Sequence, residues 1–339
     1  MAIPYRTKRV LWRMFVTVLI LLLIAVLIWG CWAIWLGRYM VYTRNDGVRL
    51  DFNKDANSIT GDPVTKPLPP ETVSIYYNEG ENLITPETEL TQMVGYYVTA
   101  SELEEDIAQI MPQVRQLEKG TPVMVDVKSI YGNFFYNSKL STERNSDLDP
   151  DAMDKFIREL NQSGAYTIAR VPAFRDFKYG LSHVADGLPT AGGYLWMDDQ
   201  GCYWLNPASQ GTLSYLVQIV SELRGMGFDE VVFYDFRFPE TTGIVFNGDK
   251  DQALSEAAAT LVSSCASESF AVSFVGGSSF PLPQGRSRLY VENAAAADAQ
   301  TIALNTGLED PSIYLVFLTE LHDTRFDDYS VLRPLSAAH

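Results

Sequence analysis

From Val94 onward the chain alternates short, almost wholly apolar runs with amphipathic stretches of helical period, and this alternation limits the folds open to it more than any other feature. VGYYVT, PVMVDVK, YTIARVPAF, DEVVFYDF, FAVSFVGG, RLYVE and SIYLVFLT each read as a strand. Between them lie SELEEDIAQIMPQVRQLEKG, which Pro112 is expected to kink, and DPDAMDKFIRELNQSG, which opens at an Asp-Pro cap and ends at Gly164. GTLSYLVQIVSELRGMG, DQALSEAAATLVSSCASES and a short Ala-rich segment follow as further helices. Strands apolar on both faces, separated by helices, mark a parallel sheet covered on each side. Seven such strands and a weaker eighth, YSVLRPL, favour an α/β fold of the (β/α)8 TIM type over an open doubly wound sheet. No G-x-G-x-x-G follows the first strand and no G-x-x-x-x-G-K-[ST] occurs anywhere, so a nucleotide-binding sheet has no sequence support.

The N-terminal region has a different character. Met14 to Leu36 is an uncharged apolar run, long enough at about 1.5 Å per residue to cross the hydrocarbon of a bilayer. Arg6, Lys8, Arg9 and Arg13 precede it, and Trp29, Trp32 and Trp35 cluster towards its far end. Basic residues on one side and an aromatic belt on the other predict a single-pass transmembrane helix. The expected organisation is a cytoplasmic basic tail at 1–13, the transmembrane helix at 14–36, an extracellular stalk and lead-in at 37–92 and the barrel at 93–339. The expected location is therefore the cell membrane, with the N-terminus cytoplasmic and the barrel outside.

Charge and rare residues narrow the chemistry. The formal net charge is −16. Five basic and no acidic residues fall in 1–38, which leaves 21 basic against 42 acidic in the remainder. Such a surface repels phosphate backbones, so nucleic acid is not an expected partner. The histidines are His183, His322 and His339, and no zinc-ligand spacing occurs, so neither a metal nor another cofactor is expected. Cys202 and Cys265 could pair in an oxidising compartment or remain free thiols.

In a barrel of this kind the active site lies at the C-terminal strand ends. Those ends carry Asp126 and Lys128 after strand two, Arg170 and then Arg175 and Asp176 after strand three, Asp235 and Arg237 after strand four, Glu292 after strand six and Glu320 after strand seven. Paired carboxylates are the requirement of glycoside hydrolysis, and Asp235, Glu292 and Asp126 are the catalytic candidates. Aromatic rings beside amides suit sugars, whose apolar faces stack while their hydroxyls hydrogen-bond. Trp196, Trp204 and Asn206 in the loop after strand three, with Lys128, Arg170, Asp176 and Arg237, are the substrate-binding candidates.

Four ordered motifs carry a family resemblance: MVDVKSIYGNFFY, SGAYTIARVPAFRD, the W-x-D-x-x-G-x-x-W-L-N-P run from Trp196 and GFDEVVFYDFRFP. Together they resemble the glycosyl hydrolase domain of membrane-anchored and secreted bacterial proteins, a TIM-barrel group similar to α-amylase-type barrels, over roughly 94–319. The resemblance implies a carbohydrate-active barrel whose fourth strand supplies a nucleophile-like aspartate. The family pattern there is F-D-Y-x-R-F-P, whereas this chain runs Phe233-Tyr234-Asp235-Phe236-Arg237, with Tyr and Asp exchanged. In a regular strand that exchange turns the carboxylate to the opposite face, unless a bulge re-aims it. Two functions are therefore expected: a membrane-anchored hydrolase of extracellular or cell-wall polysaccharide, or an inactive barrel that binds glycan or a partner protein at the cell surface.

The anchor has a direct test. The full chain should partition into membranes and need detergent, whereas a chain beginning near Arg44 should stay in the aqueous fraction. Full-length protein that remains aqueous after membrane separation would overturn the anchor.

Overall fold

Eight parallel strands pair in a closed ring in the computed structural model. It describes residues 90–141, 148–276, 280–320 and 322–335, together with 40–43, 47–50, 22 and 29. The strands are β1 (Val94–Val98), β2 (Pro122–Asp126), β3 (Tyr166–Pro172), β4 (Glu230–Tyr234), β5 (Ala271–Val275), β6 (Leu289–Glu292), β7 (Leu315–Leu318) and β8 (Ser330–Pro334). They follow chain order, and β8 pairs back onto β1 at Val331–Val94. The weak eighth strand of the sequence is the one that closes the barrel. Helices α1 (Ala100–Val114), α2 (Pro150–Ser163), α3 (Phe177–Ser182), α4 (Gln210–Gly225), α5 (Lys250–Cys265), α6 (Ala299–Thr306) and α7 (Pro311–Tyr314) connect them. This is a TIM-type α/β barrel.

Local chemistry explains the helix ends. Thr99 and Glu102 form a capping box at the start of α1, satisfying backbone N–H groups that a first turn leaves open. Asp149 caps α2, Pro150 occupies its first turn, and Gly164 closes it at φ 75°, a conformation that costs a residue with a Cβ. The break in α1 lies at Asp106, with φ −162°, and not at Pro112. The Asp106 carboxylate accepts from the N–H groups of Ala108 and Gln109, so it starts a second helical segment with its own cap.

Side chains inside the barrel are stacked in layers, because residues two apart on a strand share a face. The middle layer is apolar: Met124, Ile168, Val232, Tyr290, Val316 and Leu332 pack together. Two residues earlier along three of these strands, or just before them, stand Tyr166, Glu230 and Arg288, which form a polar floor. Arg288 Nη1 donates to Glu230 Oε2 at 2.7 Å, Tyr166 Oη to the same oxygen at 2.9 Å, and Tyr290 Oη to Glu230 Oε1 at 2.9 Å. Two residues later stand Asp126, Arg170, Tyr234 and Glu292, and these form the mouth.

Residues 40–43 and 47–50 form an antiparallel hairpin with Met40 opposite Leu50, inside the stretch read from sequence as a stalk. It belongs to a compact unit, 1–63, separate from the one that holds the barrel. Among the described residues no helix is long and apolar enough to cross a membrane, and the Met14–Leu36 run, apart from Leu22 and Trp29, lies outside them. Cys202 and Cys265 are free and buried.

The floor makes a stability prediction. Replacing Arg288 with Met leaves Glu230 buried without its cation and should cost about 3 to 5 kcal/mol. Pairing it with Glu230→Gln should recover part of that loss. Urea unfolding of the two variants measures both, and a single variant as stable as wild type would show that the pair contributes nothing.

Candidate functional site: the barrel mouth

Arg170 organises the mouth. It points inward from β3 in register with Asp126 of β2, and its Nη1 donates to Asp126 Oδ1 at 2.8 Å. Its Nε and Nη2 both donate to Glu292 Oε1, at 3.1 and 2.6 Å. The guanidinium lies over the ring of Tyr234, 4.0 Å from its centroid. Burial works against its charge, yet Asp126 and Glu292 outweigh burial and hold its pKa above the ordinary value. Asp126 Oδ2 also accepts from the N–H of Ala100 at the start of α1. Tyr97 of β1 completes this side, pushed up to about 12 by burial first and then by Glu320, Glu102 and Glu292.

Tyr234, rather than Asp235, is therefore the inward residue of β4. The strand stops there, and Asp235 adopts φ 50°. A left-handed conformation is uncommon for a residue with a Cβ, and where the fold holds one it marks a turn or a functional site. Among the described residues the one other non-glycine at positive φ is Asn293, directly after Glu292 at the end of β6. Both left-handed turns thus lie at the same rim. The turn takes Asp235 out of strand alternation and sets its carboxylate between two arginines, 3.7 Å from Arg175 Nη1 and 3.6 Å from Arg237 Nη2. Both separations exceed a hydrogen bond, and among the described residues no hydrogen bond reaches this carboxylate. Burial raises the Asp235 pKa above 3.8 despite Arg175, Arg237 and Arg170, which pull it down. Desolvation outweighs the three arginines.

The loop between β3 and α4 builds the wall beside Asp235. Arg175 pairs with Trp204 and Met197 with Tyr203 as isolated bridges. The turn between the last two runs through Gly201 at φ 76°. Asp198 sits at this turn and accepts from Trp204 Nε1 at 2.9 Å, from Arg175 Nε at 2.6 Å and from the N–H of Cys202 at 2.9 Å. Burial pushes its pKa up, but these donors outweigh it and leave the carboxyl below 3.8. Arg175 and Arg237 both lie over the Trp204 ring, at 5.7 and 5.1 Å from its centroid.

The structure thus gathers Asp126, Arg170, Asp235, Arg237 and Glu292 at one opening and sets other candidates apart. Lys128 and Asp176 are 1% and 0% exposed. They form a buried ion pair at 2.6 Å that also receives the Tyr215 hydroxyl, which leaves neither any surface for a ligand. Trp204, 3% exposed, holds arginines on its ring and offers no free face for a sugar. Trp196 is half-buried, with its ring centroid 6.4 Å from that of Trp204. Asn206 accepts from the N–H of Ala208, a local turn that leads into α4. Tyr234, Arg175 and Asp198 were not among the candidates. Strand alternation through Val232 was the signal for Tyr234, and the W-x-D spacing was the signal for Asp198.

A parallel eight-stranded barrel with a group of ionisable side chains at its C-terminal rim defines a TIM-type domain with a polar mouth. Residues 95–271, just over half of the 339-residue chain, match the family described as "Putative glycosyl hydrolase domain", and the chain belongs to that family. Among solved structures it is similar to the α-galactosidase from Lactobacillus brevis, with 13% identity over 73% of this chain and 38% of that one, TM-score 0.50. It is also similar to the GH36 α-galactosidase AgaA A355E from Geobacillus stearothermophilus, with 12% identity over 73% and 39%, TM-score 0.50. The glycoside hydrolase domain of PelA from Pseudomonas aeruginosa aligns with 13% identity over 73% and 96%, TM-score 0.45. The likeness to the galactosidases is one of fold, and the chain spans about two fifths of their length. No curated protein sequence matches this chain.

Trp204→Ala should cost about 3 to 5 kcal/mol, the range for truncating a buried large aromatic, and Trp196→Ala less. Chemical denaturation separates them, and an unchanged midpoint for Trp204→Ala would show that its ring does not pack the wall.

Proposed function

We propose that the barrel mouth hydrolyses glycosidic bonds of an extracellular or cell-wall polysaccharide, with the chain anchored in the cell membrane through Met14–Leu36. The observation that carries this reading is Asp235. Its carboxyl group is desolvated, raised in pKa, free of hydrogen bonds among the described residues, and held by a left-handed backbone at the rim. A carboxyl group of this kind retains its proton longer than an ordinary aspartate and can hand it to a leaving oxygen. Once the proton has left, Arg175 and Arg237 compensate the new charge. Glu292 and Asp126, aimed by Arg170 from across the mouth, are the carboxylates that can attack the sugar or activate a water molecule. Asp235 thereby takes the proton-donor role in place of the nucleophile role that the resemblance implied.

A second reading has its own support. Arg170 engages both Asp126 and Glu292, and carboxylates held this way serve a barrel that binds glycan without cleaving it.

Asp235→Asn separates the two. Under the hydrolytic reading turnover of oligosaccharide should fall about 10²- to 10⁴-fold, the usual contribution of a positioned acid, with KM little changed. The wild-type rate should also decline as pH rises through the Asp235 pKa. A raised folded pKa gives stability that is present below the ordinary 3.8 and lost as pH rises through the folded value. The Asn variant should therefore gain in melting temperature relative to wild type between acidic and neutral pH. Wild-type protein that binds glycan yet releases no reducing ends would sink hydrolysis and leave the binding reading.

A further inference from the structure

The other arginines of the mouth have close acceptors. Arg170 holds Asp126 and Glu292, and Arg175 donates to Asp198 at 2.6 Å and to Gln200 at 3.0 Å. Arg237 is different. Among the described residues its one acidic neighbour is Asp235, at 3.6 Å, and its side chain is 48% exposed. It nevertheless has a defined position, because its guanidinium lies 5.1 Å from the centroid of Trp204. That ring is buried and anchored through its Nε1 to Asp198. A guanidinium laid on an aromatic face keeps its donors free at its edge, and that planar fork matches a carboxylate with two parallel hydrogen bonds.

We propose that Arg237 is a carboxylate-binding subsite and that the mouth takes an acidic glycan, placing a uronic acid next to the bond presented to Asp235. The inference rests on the carbohydrate reading above and names its substrate class. The surrounding charge makes the position more telling. Beyond residue 38 the chain carries 21 basic against 42 acidic residues, so Arg237 is not one member of a generally basic surface. An anionic sugar gains little from the long-range field and is selected by contact with the fork. Asp235 is compatible with such a neighbour, since burial favours its uncharged form and lessens repulsion between the two carboxyl groups.

The test is a panel of uronic-acid oligosaccharides in several linkages, their carboxyl-reduced counterparts and sulfated oligosaccharides of equal charge, bound to the full chain in detergent. Uronate members should bind at least about tenfold more tightly than their reduced forms, the scale of one charge-assisted contact. That ratio should collapse in Arg237→Gln and recover only partly in Arg237→Lys, which restores the charge without the fork. Equal affinity for uronate and reduced members would overturn the subsite while leaving the carbohydrate reading in place. Sulfated members bound as tightly as uronates would overturn the carboxylate assignment. Binding to no member would remove the carbohydrate reading and this inference together.

Discussion

The mouth depends on one cation. Arg170 reaches from β3 to Asp126 on the adjacent strand and to Glu292 on β6, three strands away, with Tyr234 beneath its plane. A barrel closes through neighbouring strands, and the backbone ladder says nothing about contacts across its opening. The guanidinium supplies that contact, and its fixed fork sets the relative aim of the two carboxylates. With Arg170 removed, two acids would face each other in a partly desolvated space, a state costly enough to move the strands or protonate one of them. The polar floor is built on the same principle, with one cation, Arg288, and one acid, Glu230, joined by two tyrosine hydroxyls. Between these layers the core is apolar, so the barrel is pinned by charge at both ends and filled by dispersion in the middle.

Most of the frame could be read from the chain, because it rests on local signals. Short apolar runs became strands, Asp149-Pro150 opened α2, and Gly164 closed it. YSVLRPL, the weakest run, still found its place because an eighth strand was needed to join β7 to β1. The hairpin at 40–50 escaped notice because its four-residue strands are too short to show a period of two. The break in α1 moved from Pro112 to Asp106 because a side-chain cap competed successfully with helix continuation.

The site was legible as a set of residue types and much less so as geometry. Asp126, Asp235 and Glu292 could be named from strand ends, but their arrangement follows from Arg170, which is 122 residues from Glu292 along the chain. Lys128 and Asp176 carry the same chemistry as the residues of the mouth. They are withdrawn from it by Tyr215 and by the loop that buries them, a tertiary effect no short window contains. Trp204 resembled a sugar platform because its composition context fits one. In the fold, both arginines approach the face that a sugar would need.

The left-handed turn at Asp235 also bears on how relatives of this chain are compared. Against the pattern F-D-Y-x-R-F-P that the resemblance implies, Tyr234 stands where the pattern has its aspartate and Asp235 where it has its tyrosine. In space the strand ends at Tyr234, and a left-handed turn carries the Asp235 carboxylate to the rim. The carboxylate at the rim is then found by its location and not by its column. Conservation scored along such an alignment would report a lost acid in a barrel that still holds one at its opening.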